Sequence, residues 1–158
     1  MLKGLLPENA AEFYDTIDTI ILILSLYGKI LMINRVCLET MGFSRKEAEG
    51  KFFLKLFFKP KVHNLVSSLL EEAKEPPFLT TYEENWQAKD GDERLISFTV
   101  ASLRDKYGIT TNYTVTGLDI TMFRKRWRKN FGTTGQVSKN KSSEEPQNLL
   151  HHKPVCQE

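Results

Sequence analysis

The run IILILSL at residues 20–26 is the strongest constraint that the sequence places on the fold. It is short, rich in branched apolar residues and closed by Tyr27-Gly28, which is the pattern of a buried β-strand. The segment KILMIN at residues 29–34 follows at once, and a tight turn containing glycine can join the two as a hairpin. Such a hairpin must bury its apolar residues against later segments, so the order of those segments decides the fold class.

The segments after the hairpin change from helical to strand-like spacing. A short helix is predicted from Arg35, and a longer one begins at Pro60 and stops before Pro76. The order of strands around a helical middle, without βαβ alternation, predicts an α+β fold with one five-stranded antiparallel sheet and short helices packed on one face. Three further strands are predicted at residues 78–88, 94–105 and 109–120, and a lead-in helix at residues 8–18.

Several polar residues and glycines are predicted to shape the turns and helix ends. Ser44 and Glu47 form a capping box, in which each side chain satisfies a free amide of the helix start. Asp90-Gly91 is a strong hairpin-turn signal. The structural residues singled out in this way are Asn34, Gly42, Ser44, Glu47, Gly50, Asp90 and Gly91.

Charge and composition change near residue 121. Residues 1–121 contain 14 Lys and Arg against 17 Asp and Glu, whereas residues 122–158 contain 8 against 3. From Gly132 the chain is rich in Ser, Lys, Asn, Gln and Glu, which predicts disorder because little apolar surface can be buried. We therefore divide the chain into a lead-in at residues 1–11, a domain at residues 12–124, a basic exit helix at residues 125–132 and a disordered tail at residues 133–158.

At this point the sequence resembles a known family. The sequence contains MGFSRKEAEGK at residues 41–51, ENWQAKDGDERLISF at residues 84–98 and the ending TGLDIT at residues 116–121. These segments resemble motifs that occur in the same order in PAS domains of prokaryotic sensor histidine kinases. The resemblance spans residues 12–124. It implies a sensory module of two-component signalling, with the sheet and small helices expected above.

The ending Asp119-Ile120-Thr121 resembles the point where PAS domains join a helical linker that leads to an effector. Asp119 or Thr121 can cap the first turn of that linker by accepting hydrogen bonds from its free amides. We therefore expect a signal to leave the domain through this corner. The run at residues 124–129 is then the start of the exit helix, and its alternatives are an amphipathic helix that binds nucleic acid or an acidic lipid surface.

The resemblance also raises two cofactors, haem and flavin. His63 stands where haem-binding members place an axial ligand, although Lys61 and Asn64 beside it favour a surface histidine. Light-sensing members carry a cysteine for a flavin adduct in a segment that here reads GKFFLKLFF, so no covalent flavin adduct is expected. Non-covalent flavin stays an alternative, because Trp86 could stack on its ring.

A small apolar ligand could occupy a pocket between the helices and the sheet. The same aromatic residues could equally be plain core, so the two interpretations stay open. The candidate pocket residues are Phe52, Phe53, Phe57, His63, Leu69, Trp86 and Phe98.

The sequence contains no catalytic or phosphate-binding motif that we recognise, and we expect no enzyme activity. Cys37 and Cys156 are far apart in the sequence and lack the spacing of metal ligands, which favours a reducing, cytoplasmic compartment. No apolar segment is long enough to cross a membrane. Because the first and last strands look apolar on both faces, we expect the lead-in helix or a second subunit to cover the outer face. We therefore predict a homodimer or a partner signalling protein, and nucleic acid is the less favoured alternative partner.

Overall fold

The chain folds around a five-stranded antiparallel sheet with the strand order β2-β1-β5-β4-β3. A computed structural model describes residues 9–75 and 81–132. The predicted α+β class is confirmed, whereas the predicted disordered tail at residues 133–158 lies outside the described residues. The elements are α1 (Ala10–Thr16), β1 (Ile20–Ser25), β2 (Ile30–Ile33), α2 (Arg35–Met41), α3 (Arg45–Ala48), α4 (Phe53–Phe57), a 3₁₀ turn (Pro60–Val62), α5 (His63–Glu72), β3 (Thr81–Gln87), β4 (Glu93–Arg104), β5 (Thr110–Asp119) and α6 (Thr121–Phe131).

The first strand lies beside the last strand in the centre of the sheet. β1 pairs with β5 from Ile20 opposite Gly117 to Ser25 opposite Asn112, and it pairs with β2 on its other side. Because both faces of β1 are covered by other residues, its apolar side chains from Ile20 to Leu24 are buried. The predicted helix after Pro60 is divided into the 3₁₀ turn and α5, and it ends at Glu72.

The inner face of the sheet carries the main core. Alternate residues of β4 and β5 point to this face because side chains alternate along a strand. Ile96, Phe98 and Val100 of β4 are buried there with side chains of α2, α3, α4 and α5. The helices α2 to α5 therefore cover one face, as predicted.

The outer face is largely polar, which corrects the expectation that the last strands are apolar on both faces. Ser97 and Thr99 of β4 lie beside Leu118 and Thr116 of β5 on this face, and they are only half-buried. A buried apolar cluster on this face involves β1, β2 and one β4 residue, whereas Leu118 of β5 is 55% exposed. The cluster consists of Ile21, Ile23, Met32 and Leu103, and it packs against Tyr14 and Ile17 at the lead-in helix α1.

At Gly117, β5 lies so close to β4 that no side chain fits between them. A Cβ atom built on Gly117 would lie 2.9 Å from the Ser97 carbonyl oxygen and 3.0 Å from the Phe98 Cβ. Since real Cβ atoms do not approach backbone oxygens so closely, the pairing of the two strands requires glycine here.

The predicted turns and caps lie where the sequence placed them. Gly42 ends α2 in the left-handed conformation at φ +76°, and Gly91 adopts φ +89° in the β3–β4 turn. The Ser44 Oγ accepts from the Glu47 amide while the Glu47 carboxylate accepts from the Ser44 amide, so the capping box is formed. These local signals fix the ends of short elements that packing alone would leave uncertain.

The capping box predicts an acid-sensitive contribution to stability. The Lys89 ammonium and the Ser44 amide hold the pKa of Glu47 at about 2, below its ordinary 4.5. A carboxylate whose pKa is lowered by folding stabilises the fold above its unfolded pKa, and that contribution is lost as the pH falls. We therefore expect Glu47→Gln to reduce stability at neutral pH and to have a smaller effect as the pH falls from 4.5 toward about 2. Urea denaturation across this range measures the difference, and an effect that is constant with pH would contradict it.

Candidate functional site

The interior next to α4 and β3 is filled by an aromatic cluster centred on Trp86. The indole is fully buried, and its ring centroid lies 5.1 Å from that of Phe53 and 5.2 Å from that of Phe57. Phe58 and Phe98 approach it at 5.5 and 5.3 Å. The spacing of Phe53 and Phe57 by four residues puts both rings on the same side of α4, and the alternation of β3 turns Trp86 toward them. We call these five residues the Trp86 cluster.

Two buried hydrogen-bond donors in the interior have no partner. Among residues 9–75 and 81–132, no acceptor lies within reach of the Trp86 Nε1 or the Tyr113 hydroxyl. Burial raises the pKa of Tyr113, so this hydroxyl keeps its proton and remains a donor. Trp86 pairs with Arg94 in β4 and Tyr113 pairs with Ser102, so the two donors lie toward opposite ends of the sheet. An unpartnered buried donor costs about 1–3 kcal/mol, and a ligand acceptor would remove that penalty.

The structure brings together four of the predicted pocket residues. Phe53, Phe57, Trp86 and Phe98 are in the Trp86 cluster, and Leu69 is buried elsewhere in the same core. Phe52 lies apart, since it is 38% exposed and its ring is approached by the ammonium groups of Lys29 and Lys55.

His63 lies at the start of α5, and its imidazole ring contacts a backbone carbonyl. Its Nε2 lies 3.0 Å from the Phe58 carbonyl oxygen, so the tautomer with a proton on Nε2 donates to that carbonyl. Ligation of iron through Nε2 would break this hydrogen bond.

Burial raises the pKa of the Cys37 thiol, which therefore stays protonated inside the core.

A separate open cleft lies between the end of α2 and the β3–β4 turn. Its volume is about 400 Å³, and Met41, Ala88, Lys89 and Arg94 are among its lining residues. Its charged groups are partnered, because Lys89 pairs with Glu47 and Arg94 pairs with Asp90 and Asp92. The cleft holds none of the predicted pocket residues.

The corner between β5 and α6 is held by a compact hydrogen-bond network. Asp119 Oδ1 accepts from the Thr121 amide at 2.9 Å and from the Thr121 hydroxyl at 2.5 Å. The Thr121 Oγ1 in turn accepts from the Leu95 amide at 2.8 Å, and the Ile120 amide donates to the Leu95 carbonyl. Asp119 thus satisfies a free amide of α6 although Ile120 occupies the cap position, and Thr121 ties the helix start to β4.

This corner is adjacent to the Trp86 cluster through the register of β3 and β4. Trp86 lies opposite Arg94, and its neighbour Asn85 lies opposite Leu95. An ion pair between Arg124 of α6 and Glu83 of β3 fastens the helix to the same pair of strands. Leu95, Glu83 and Arg124 were not predicted as site residues, because their partners are 26 to 41 positions away and only the strand register reveals them.

Loss of the Thr121 hydroxyl should loosen the exit corner. Thr121→Val leaves the Leu95 amide without its acceptor, and a lost hydrogen bond of this kind costs about 1 kcal/mol. We expect hydrogen exchange at the Leu95 amide to be roughly fivefold faster in that variant, as followed by NMR. Thr121→Ser keeps the hydroxyl and should retain the protection. Equal exchange in the valine variant would show that the bond does not hold the corner.

Comparisons with known proteins identify the fold family. The family described as PAS fold matches residues 8–120. No curated protein matches the chain. Among solved structures, a PAS domain from Colwellia psychrerythraea is 22% identical with a TM-score of 0.66, and the match covers 73% of this chain and 97% of that one.

Two further structures show the same fold. The PAS domain of Bordetella pertussis BvgS is 17% identical with a TM-score of 0.59, covering 78% of this chain and 92% of that one. The PAS domain of the Cronobacter turicensis quorum-sensing receptor RpfR, in complex with C12:0, is 22% identical with a TM-score of 0.56, covering 66% and 96%. With the family match over most of the described residues and the strand order above, this chain belongs to the PAS family, whose members are sensory signal-transduction modules.

Proposed function

We propose that this PAS domain binds a small, mostly apolar molecule at the Trp86 cluster and transmits its presence to α6 through β3 and β4. The observation that carries the proposal is the unpartnered Trp86 Nε1 inside a fully apolar surrounding. A ligand with one hydrogen-bond acceptor and an otherwise apolar body matches both features of that place. Aromatic walls with a few placed polar groups are typical of small-molecule sites.

The route to α6 follows from the contacts at the exit corner. A ligand that inserts beside Trp86 must displace the packed rings, since closely packed interiors do not yield without movement of neighbours. Trp86 belongs to the β3–β4 ladder that also holds Leu95 and Glu83, the two attachment points of α6. A ligand that favours a shifted ladder would shift the equilibrium of α6 between attached and released states.

Tryptophan fluorescence and calorimetry test the interior site. The probe is dodecanoate, chosen because the RpfR PAS domain was solved with C12:0 and because a carboxylate is a strong acceptor. Trp127→Phe leaves Trp86 as the one tryptophan, and we expect its emission to change saturably on titration. In Trp86→Phe the affinity by calorimetry should fall roughly tenfold, because the donor is lost.

The matched control is Trp127→Phe, whose substituted residue is 52% exposed on α6. Its affinity for dodecanoate should equal that of the unchanged protein. Equal affinity in Trp86→Phe would place the ligand elsewhere. If dodecanoate does not bind and mass spectrometry of the purified protein finds no small molecule, the proposed interior site is wrong.

The haem and flavin alternatives are tested by one absorption spectrum of the purified protein. Since the His63 Nε2 is used by the Phe58 carbonyl and four phenylalanine rings surround Trp86, we expect no Soret band after haem reconstitution and no flavin bands. A Soret band that disappears in His63→Ala would favour a haem sensor instead.

Pairing between two copies of the chain stays a prediction. The outer face is mostly polar, and α1 contacts its apolar part, so the argument from an uncovered sheet no longer holds. Gel filtration with light scattering at tens of micromolar decides whether the chain forms a homodimer.

Across the described residues, every helix is too short or too polar to cross a bilayer.

A further inference from the structure

The exit helix α6 is unusual in this fold because it buries none of its residues. It extends from Thr121 to Phe131, and Thr121 and Arg124 in its first turn attach it to the sheet. A helix that contributes so little to the core gains little stability from packing on its own domain. Its exposed surface is therefore available for an interaction outside the domain.

One side of α6 is aromatic and exposed. Phe123, Trp127 and Phe131 follow each other at intervals of four residues and are 66%, 52% and 59% exposed. Their rings form a continuous row, with centroids 6.4 Å apart for the first pair and 4.4 Å for the second. We call these three residues the aromatic row. A contiguous row of exposed apolar side chains is a feature of interaction sites.

The rest of the helix is strongly basic. α6 contains five Lys and Arg and no acidic residue. Arg124 forms an ion pair with Glu83 of β3. A helix with an aromatic side and a basic side matches a surface that is apolar beneath and anionic above.

We infer that α6 docks on an anionic lipid bilayer surface, with the aromatic row at the boundary between headgroups and acyl chains. Amphipathic helices of this composition lie in the membrane interface, where Trp and Phe enter the apolar layer and Lys and Arg contact anionic headgroups. A helix of 11 residues is about 16 Å long, enough to lie along the surface and too short to cross it. This inference is independent of the interior ligand.

Two other occupants fit the same helix less well. In a second copy of the chain, pairing through the aromatic row would bring two helices with five cations each side by side, with no acid on either helix to pair them. On a nucleic acid, the bases would have to separate rings that already stack on each other, and one short helix offers few phosphate contacts. Both remain outcomes of the test.

Vesicle flotation of the full chain tests the docking. We expect the protein to float with vesicles of phosphatidylglycerol and phosphatidylcholine in equal parts, and not with phosphatidylcholine alone. The emission of Trp127 should shift to shorter wavelength on binding and be quenched by brominated acyl chains. Lys125→Gln with Arg128→Gln should weaken binding by roughly tenfold or more, since each cation near an anionic surface contributes severalfold.

Substitutions in the aromatic row separate lipid docking from simple charge attraction. Phe123→Ser with Trp127→Ser should reduce binding by roughly tenfold or more while the thermal midpoint is unchanged, because neither residue is buried. The matched control is Tyr107→Ser with Ile109→Ser, which removes side chains that are 75% and 63% exposed near the β4–β5 turn and should bind like the unchanged protein.

Three results would overturn the inference. The first is flotation that does not depend on phosphatidylglycerol, or that survives the loss of the aromatic row. The second is binding to duplex DNA or single-stranded RNA without any vesicle binding, which would assign α6 to nucleic acid. The third is a dimer in light scattering that becomes a monomer in Phe123→Ser with Trp127→Ser while vesicles are not bound.

Discussion

Trp86→Ala should lower the free energy of unfolding by about 3–5 kcal/mol, the largest effect expected from a single substitution in this chain. The indole is fully buried and contacts four phenylalanine rings, so its removal takes away apolar contacts and leaves a cavity that the surrounding helices and strands can fill only in part. Urea denaturation followed by far-ultraviolet circular dichroism measures the change.

Trp86→Phe separates the two contributions of the indole. It keeps an aromatic ring and removes the unpartnered Nε1, so we expect a smaller loss of about 1–2 kcal/mol. Trp127→Ala is the matched control on the exposed side, and its effect should lie within about 0.5 kcal/mol. A loss below about 1 kcal/mol in Trp86→Ala would mean that the Trp86 cluster is not closely packed.

Asn34→Ala should be the most damaging change of a polar residue, with a loss of about 2–4 kcal/mol. The Asn34 side chain is buried and accepts from the Ile21 and Cys37 amides at 3.0 and 3.2 Å. It also donates to the Tyr14 and Thr19 carbonyl oxygens at 3.2 and 2.7 Å. Removal of this one amide takes the acceptor from the buried Ile21 and Cys37 amides and the donor from the Thr19 carbonyl oxygen, whereas the Tyr14 carbonyl still accepts from the Ile17 amide. Chemical denaturation measures the cost.

Two variants serve as controls for Asn34→Ala. One changes a different asparagine, and the other keeps the shape of the Asn34 side chain. Asn85→Ala changes an exposed asparagine of β3 and should alter stability by less than about 0.5 kcal/mol. Asn34→Asp retains both accepted hydrogen bonds and loses both donated ones, so its effect should be substantial because a carboxylate would face two carbonyl oxygens. Equal stability of Asn34→Ala and Asn85→Ala would contradict the role assigned to Asn34.

Local chemistry explains why much of this fold could be predicted from the sequence. Gly42 and Gly91 mark places where only a residue without a Cβ adopts a positive φ easily, and the Ser44–Glu47 pair is a cap that acts within a single turn. The apolar run of β1 likewise predicts a buried strand in itself. Such signals depend on a few neighbouring residues, so they can be recognised in the sequence without the tertiary structure.

The remaining features depend on which distant residues meet. Phe52 and Phe53 are adjacent and identical in type, yet one lies between two lysines at the surface and the other is fully buried. The expectation that β4 is apolar on both faces is wrong, because its outer face carries the half-buried Ser97 and Thr99 while Ile96, Phe98 and Val100 alternate with them on the buried face. The attachment of Thr121 to Leu95 and of Arg124 to Glu83 follows from the strand register, which no local pattern encodes.

The close approach of β5 to β4 at Gly117 has a practical consequence for anyone who wishes to label the sheet. A spin label or fluorophore attached at position 117 would collide with the neighbouring backbone, whereas Thr116 is exposed and presents its side chain on the opposite face. Labels on two introduced cysteines, one at position 116 and one in the later turns of α6, would report the distance across the exit corner. Changes in that distance on ligand addition can then be read without disturbing the strand pairing that the measurement relies on.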